Sequence, residues 1–541
     1  VSPLLPIFLL CLGALVLLFG LSPRFPQVGL AALVTSALAW LAHLILLFWV
    51  PAQAIFSEWG PTSLLPLGLI LDADPLSWLL ALAVLSVTLA TFLTGVARPG
   101  GRRLLVRGAI LLLTAAALSA LFAGNLLTRV LAWAGLDLIY FLALLFLARG
   151  EGLEPQAVLN LSFNSAGTLL AVGAALLISR TSPELSLRDA ALTSQSTLLI
   201  TLAAMFRLGL FPLHLGLPAE VSIRRGLGTV LRVLPAVVAL EMMSRLAVFG
   251  FAEAARPWLM VFALAATLVG ATQLWNLDDP RLGITYVIIQ QSGVALIAGL
   301  AGGELALPAI LAQVVALVVG CATLYLYNGF ASEGRQRWLA LLPLLGASGM
   351  VGLPFTAGFP AASGLYGGLI ASGNWLVIIG VFIAQSLLFA GLLRVVFLPS
   401  EPIDDDPITI TAYGVGLGLP TVVLVMVGLA SGVVNRALGL SVSSFASFAG
   451  SQDLAPLGLV LLSLGLGFAL WRFEGLILAQ TEHLNNPLSA FTRLDWLYRL
   501  IWQVAHGVGR LVFGLAEILE GEGAVLWTLV GALLLWLLFR S

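Results

Sequence analysis

The chain has 541 residues, of which 60% are hydrophobic and only 9% are charged. Soluble domains carry about 25% charged residues, so a cytosolic enzyme is excluded. With 25 basic and 26 acidic residues the net charge is -1, which argues against a nucleic-acid partner. Every basic residue is arginine, and the sequence contains no lysine.

Apolar runs of about 20 residues recur from end to end and predict roughly 14 to 16 membrane-spanning helices. The first expected span, Leu4–Leu21, lacks a basic n-region and a small-residue cleavage site, so it reads as a retained helix. Expected spans follow at Val28–Val50, Leu76–Gly95, Leu104–Leu121, Leu127–Leu147, Val158–Ile178 and Thr193–Phe211. The next are Leu227–Phe249, Leu259–Leu274, Gly283–Leu300, Leu307–Tyr327, Leu339–Leu353, Trp375–Phe397 and Ile408–Leu429. Arg24, Arg98, Arg102, Arg103, Arg107 and Arg149 fall in odd-numbered loops, whereas the loop after the second span holds Glu58, Asp72 and Asp74. The positive-inside rule then puts the N-terminus outside and the odd loops in the cytoplasm. A prokaryotic cytoplasmic (inner) membrane is the expected location.

Charges at bilayer depth cost about 2.5–3.5 kcal/mol on insertion scales and are functional candidates by default. Asp137 lies near the middle of an apolar helix, either as a functional acid or as a residue paired for packing. Arg207 and His214 flank Pro212 in an interrupted helix that continues through Pro218 to Glu220. A proline there frees backbone carbonyls, which is tolerated only in a protein or cavity interior. Arg232 is buried in a third apolar run, followed by Glu241 and Arg245, whose spacing puts them on one helix face as an expected ion pair. A second interrupted helix contains Pro354 and Pro360, and paired interruptions point toward a repeat-built transporter.

Asp278-Asp279-Pro280-Arg281 reads as a capped helix start. Asp404-Asp405-Asp406-Pro407 reads as a solvated acidic loop, or less simply as a cation site. Tyr325-Leu-Tyr327-Asn328-Gly329 marks an interfacial helix end. Ser441–Asp453 is an expected loop before a span at Leu457–Leu470. In Pro487–Glu520, charged residues alternate with Trp496, Leu500, Ile501, Trp502 and Leu511, which suits a helix along the membrane surface or against a partner. Ala524–Leu538 is the last apolar run. Cys11 and Cys321 have neither metal-ligand spacing nor a disulfide framework, so no metal, iron–sulfur cluster or other cofactor is expected in the chain.

Several segments together resemble the antiporter-like subunits of respiratory complex I, which are shared with membrane-bound hydrogenases and multisubunit cation/proton antiporters. Gly135-Leu-Asp137-Leu is similar to that family's Gly-Trp-Glu-Leu segment. Arg207-Leu-Gly209-Leu-Phe-Pro212-Leu-His214-Leu-Gly-Leu-Pro218-Ala resembles its Lys-x-Gly-x-x-Pro-Phe-His-x-Trp-Leu-Pro-x-Ala motif. Asp279-Pro-Arg281 with Ser292-Gly293, and Gly352-Leu-Pro354-Phe-Thr356-Ala-Gly358-Phe359, resemble two further family segments. The resemblance implies an all-α polytopic fold of about 14 core helices, with two inverted five-helix repeats that each contain a broken helix. It assigns 1–103 to N-terminal helices, 104–250 and 251–400 to the two antiporter-like repeats, and 401–484 to C-terminal core helices. Residues 485–541 become a lateral amphipathic helix and a terminal transmembrane helix.

The resemblance also implies a proton path through buried ionisable groups, and here the chain departs from it. The family's glutamate becomes Asp137, its lysines become Arg207 and Arg232, its histidine becomes Gln291, and its exit lysine falls at Ala362. A buried lysine can release its proton, whereas arginine stays charged. A relay needs groups that both take and give a proton, so Arg207 and Arg232 can gate or anchor but not relay. The expectation is a membrane-arm subunit of a complex I-type NADH/quinone oxidoreductase with an altered or lost proton relay. Its expected partners are other membrane-arm subunits and the lipid bilayer. A hydrogenase subunit, a non-redox antiporter subunit and a standalone transporter remain as alternatives.

Overall fold

The structure, a computed structural model, describes residues 2–19, 28–56, 68–96, 104–147, 153–179, 192–217, 225–329, 337–399, 406–430, 432–433, 436, 454–477, 495–520 and 523–540. It divides into two compact units, Val1–Ile477 and Leu478–Ser541. Arg24, Glu58, Arg98, Arg102, Arg103, Arg149, Pro218, Glu220, Asp404 and Asp405 lie outside the described residues, as do 441–453 and 487–494.

Apolar composition writes the helices of the first unit. They are α1 Leu4–Phe19, α2 Val28–Leu46, α3 Pro75–Gly95, α4 Leu104–Leu121, α5 Leu126–Leu147, α6 Leu153–Ile178, α7 Ser194–Leu208 and α8 Arg225–Phe249. There follow α9 Arg256–Asn276, α10 Ile284–Ala301, α11 Ala306–Leu326, α12 Leu341–Val351, α13 Gly358–Ala371, α14 Trp375–Val396, α15 Pro407–Leu429 and α16 Leu454–Arg472. Twelve of the described helices are long and apolar enough to cross a bilayer. The outward faces carry large apolar side chains such as Phe8, Leu138, Trp258 and Leu376. The inward faces hold Asp137, Arg207, Glu241 and Arg129. That inversion, grease outside and charge inside, is what lipid demands. The chain is a multi-pass, all-α membrane protein.

Local chemistry sets the helix starts. Asp74 caps α3 by accepting from Ser77 N at 2.8 Å, Asp74 N donates in turn to Ser77 Oγ at 3.0 Å, and Pro75 takes the first helical position. Thr193 and Ser196 make the same reciprocal box at α7. Asp406, the described residue of the acidic run, is exposed and also caps α15 ahead of Pro407, its carboxylate accepting from Thr409 N at 3.2 Å. Asp279 caps a single 3-10 turn, Pro280–Leu282, before α10 begins.

α11 is the most enclosed element, packed on α8, α10, α12, α13, α15 and α3. Tyr325 and Tyr327 at its end are buried. In α4–α8 and again in α9–α14 the fourth element is interrupted, by the break after α7 and by the α12–α13 junction. The sequence reading missed α13 as a helix of its own. Its Gly, Ser and Ala residues shorten the apolar run below a span, while letting it press onto α11.

A second departure lies between α2 and α3. Strands β1 Ala52–Phe56 and β2 Leu69–Ala73 pair antiparallel, Ala52 opposite Ala73 and Phe56 opposite Leu69. The hairpin is tied to the α4–α5 turn through Gly124 N to Ile70 O at 2.8 Å and Ile70 N to Thr128 Oγ1 at 3.0 Å. Asn125 does double duty, accepting from Thr128 N at 2.8 Å and donating to Gly68 O at 3.0 Å. Asp72, on β2, and Asp74, just after it, are therefore buried instead of lying in a loop. Asn125→Ala removes both a helix cap and the hairpin tether. It is expected to lower stability by about 1–2 kcal/mol, read as a fall in thermal unfolding midpoint of the detergent-solubilised chain.

The second unit holds α17 Asp495–Glu520 and α18 Gly523–Arg540, which pack on one another. On α17, Trp496, Leu500, Val504, Val508 and Leu511 follow one helical stripe, and Arg499, Gln503, His506 and Arg510 follow another. This is the amphipathic helix expected there.

Candidate functional site

α5 presents Arg129, Trp133 and Asp137 at four-residue steps, hence on one face. All three are buried. Asp137 meets Arg207, on the last turn of α7, in a forked pair: Nη1 to Oδ2 at 2.8 Å and Nη2 to Oδ1 at 2.6 Å. Thr168 on α6 joins them, donating to Asp137 Oδ2 at 3.3 Å and accepting from Arg207 Nη1 at 3.1 Å. The guanidinium lies over the Trp133 ring, 4.5 Å from its centroid. The negative end of the α7 dipole adds to the field that holds the cation there.

The break after α7 explains why Arg207 sits where it does. Gly209 adopts the left-handed conformation, φ 57°, and a Cβ there would come within 2.6 Å of Leu217 Cδ1. Leu210 N returns to Met205 O at 3.1 Å, satisfying a carbonyl at the helix end. Pro212 then precedes one 3-10 turn, Leu213–Gly216. His214 stacks on Phe211 with ring centroids 5.7 Å apart, so it is packed into the break and is not among the polar atoms on Asp137.

A second ion cluster lies nearby. Glu241 on α8 takes a forked pair from Arg129, with Nη2 to Oε1 at 3.0 Å and Nη1 to Oε2. Arg245 Nε donates to Glu241 Oε1 at 2.5 Å, as the four-residue spacing anticipated. Arg245 Nη1 reaches on to Asp74 Oδ2 at 2.9 Å. Burial would raise the Asp74 carboxyl, but the Arg245 guanidinium and the Ser77 hydrogen bonds outweigh it and hold the carboxyl below the usual range. Arg129 escaped the sequence reading, which placed Asp74 only among the acids of a loop. The four-residue steps from Arg129 through Trp133 to Asp137 were the available signal for Arg129.

Arg232, one helix turn before Pro235 on α8, does not join either cluster. It faces Tyr140 and Tyr325, and its Nη1 points to Gly228 O at 3.5 Å. It is thus separated from Asp137, which the structure gives to Arg207.

The second half is built differently. Gln291 on α10 donates to Gln290 Oε1 at 2.8 Å and to Met350 O at 3.3 Å, and accepts from Gln313 on α11. Gln290 donates to Gln385 Oε1 on α14 at 3.4 Å. Four buried amides therefore join α10, α11, α12 and α14. Among the described residues of α9–α14 no charged side chain is fully buried. The α12–α13 junction turns at Gly352, φ 107°, passes Pro354 and re-enters helix at Gly358, with Pro360 in the first turn of α13. Ala357 N donates to Leu424 O of α15 at 2.9 Å, anchoring the junction. Ala362 is buried against Gly352, with no ionisable group in its place.

No protein-family model and no curated protein matches the chain. Solved structures do. A chain of the Mrp complex from Dietzia sp. DQ12-45-1b aligns with TM-score 0.79 at 17% identity, over 99% of this chain and 63% of that one. The present chain thus spans 63% of the Mrp chain's length. A chain of the membrane-bound sulfane sulfur reductase, an archaeal respiratory membrane complex, aligns with TM-score 0.72 at 16% identity, over 99% and 100%. A chain of respiratory complex I from Thermus thermophilus with bound NADH gives 0.68 at 21% identity, over 85% and 100%. The likeness is one of fold, and it agrees with the resemblance read from the sequence.

Proposed function

We propose that this chain is an antiporter-like membrane-arm subunit of a complex I-type NADH/quinone oxidoreductase, with no cofactor of its own and a proton relay altered or lost. The observation that carries this reading is the forked Asp137–Arg207 pair at the break after α7. It stands where the resemblance expects a carboxylate and a titrating lysine. Arginine keeps its proton, so the pair is a fixed ion pair, and Asp137 is the ionisable partner left to exchange a proton. The amide lattice of Gln290, Gln291, Gln313 and Gln385 supports the same reading, because amides hydrogen-bond without ionising. Lost translocation leaves the subunit an architectural part of the arm. Retained translocation would run through Asp137, His214 and water.

The second reading is a subunit of a non-redox multisubunit cation/proton antiporter, in keeping with the likeness to the Mrp chain; the Mrp chain and the sulfane sulfur reductase chain each align with 99% of this chain, so coverage alone does not separate the two readings.

Native purification in mild detergent with mass spectrometry separates the two. Iron–sulfur and quinone-site companions are expected; companions that are all small membrane proteins point to the antiporter, and recovery of the chain alone defeats both. Conduction is tested with the charge-balanced variant Asp137→Asn with Arg207→Gln in the assembled complex. Unchanged proton uptake into vesicles rules out a path through Asp137.

A further inference from the structure

Arg129, Glu241, Arg245 and Asp74 form a line, and burial orders it. The side chains of Asp74 and Arg245 are 12% and 9% exposed, and those of Glu241 and Arg129 are 0%. The line therefore runs inward from the N-terminus of α3 to the face of α5 that carries Trp133. Two guanidiniums alternate with two carboxylates, and the net charge is zero.

The helices it joins need a bridge. α5 packs chiefly on α4 and α6, and α8 chiefly on α11, α7 and α4. At this depth α5 reaches α8 through the Arg129 guanidinium. Both Glu241 oxygens are already engaged, Oε1 by Arg129 and Arg245 and Oε2 by Arg129. An entering proton or metal cation would have to displace an arginine, which cannot shed its own charge to make room. Packing alone does not call for ions here, since hydrophobic residues of similar volume hold helices together as well as a buried ion network does. What the guanidiniums add is a fixed positive charge on each carboxylate, which an entering cation meets.

We propose that Arg129, Glu241, Arg245 and Asp74 are a charge-balanced bolt that closes the hairpin end of the seam between α3, α5 and α8 to protons and cations. The bolt is distinct from the Asp137–Arg207 pair and acts whether or not that pair conducts. It requires a guanidinium for every buried carboxylate rather than any one side chain.

The test uses the full chain in membrane vesicles, with vesicles lacking the chain as baseline. A potassium diffusion potential drives protons, and an entrapped pH dye reports their passage. Arg129→Gln leaves two carboxylates facing one guanidinium, and a proton leak at least about tenfold faster than the parent's is expected, because a carboxylate without its guanidinium admits a cation. Arg245→Gln, unbalanced in the same sense, serves if Arg129→Gln does not accumulate in the membrane, and Glu241→Gln, whose excess guanidinium repels protons, is expected to stay tight. The double variant Arg129→Gln with Glu241→Gln keeps the Asp74–Arg245 pair and zero net charge, and is expected to be as tight as the parent. The proposal is overturned if the carboxylate-excess variants are tight, or if the balanced double leaks as they do. The assay needs no redox substrate or companion subunit, so its failure is separable from failure of the assignment to a membrane arm.

Discussion

Asp137→Asn is expected to destabilise the chain by about 3–5 kcal/mol, the cost of leaving one partner of a buried ion pair without the other. Asparagine keeps the shape of the aspartate but removes its charge and turns one acceptor into a donor aimed at a guanidinium. Arg207 would then rest on the remaining amide oxygen, Thr168 Oγ1 and the Trp133 ring. None of them neutralises it in a medium where water is excluded. Thermal unfolding in detergent, followed by tryptophan fluorescence, would show the loss directly. The charge-balanced double variant with Arg207→Gln is expected to recover most of it, because what is expensive is the orphaned charge. Arg207→Lys should fall between, keeping the charge but giving up the forked geometry and the stacking. Equal stability of Asp137→Asn and the parent would mean that Arg207 finds other compensation.

The second large effect belongs to Gly358→Ala. A Cβ at this position would sit 1.6 Å from Gly349 O and 3.1 Å from Gly352 Cα, so α12 and α13 meet backbone to backbone. Nothing flexible is available to yield. The junction is fixed on its other side by Ala357 N bonding Leu424 O, and by Gly428, where a Cβ would meet Thr356 C at 2.3 Å. A loss of about 3 kcal/mol or more is expected, at or beyond the upper end of ordinary overpacking. Gly367→Ala in the same helix is the control. Its Cβ meets nothing within 4 Å, and helix propensity alone predicts a gain of up to about 1 kcal/mol. If the two alanines behave alike, the close approach at the junction is not what shapes the break.

Placement of each proposed site residue follows from how it is held. Asp137, Arg207 and Glu241 are in ion pairs, His214 is stacked in the break, Arg232 is among tyrosines, and Gln291 is in the amide lattice. Only the first pair has the geometry to link charge at the broken helix to its neighbours. The glutamines beyond Gln291 carry no charge, and nothing in local sequence marks them as partners in one lattice.

The spans, the lysine-free composition, the two interrupted helices and the Glu241–Arg245 pair were all written in local sequence. Run length fixes a helix across lipid, proline and glycine fix a break, and a four-residue step fixes a shared face. Which charge meets which was not written there. Asp137 could have faced Arg207 or Arg232, and only the packing of α5 against α6, and of α6 against α7, gave it to Arg207. Glu241 gained Arg129, 112 residues away in sequence, and Arg245 gained Asp74, 171 residues away. The hairpin that buries Asp74 depends on bonds to the α4–α5 turn, and α13 depends on close contact with α11 and α15. Bilayer partitioning acts on each segment alone, so sequence suffices for it. Ion pairing and backbone-to-backbone contact are settled between segments, and only the assembled fold brings those together.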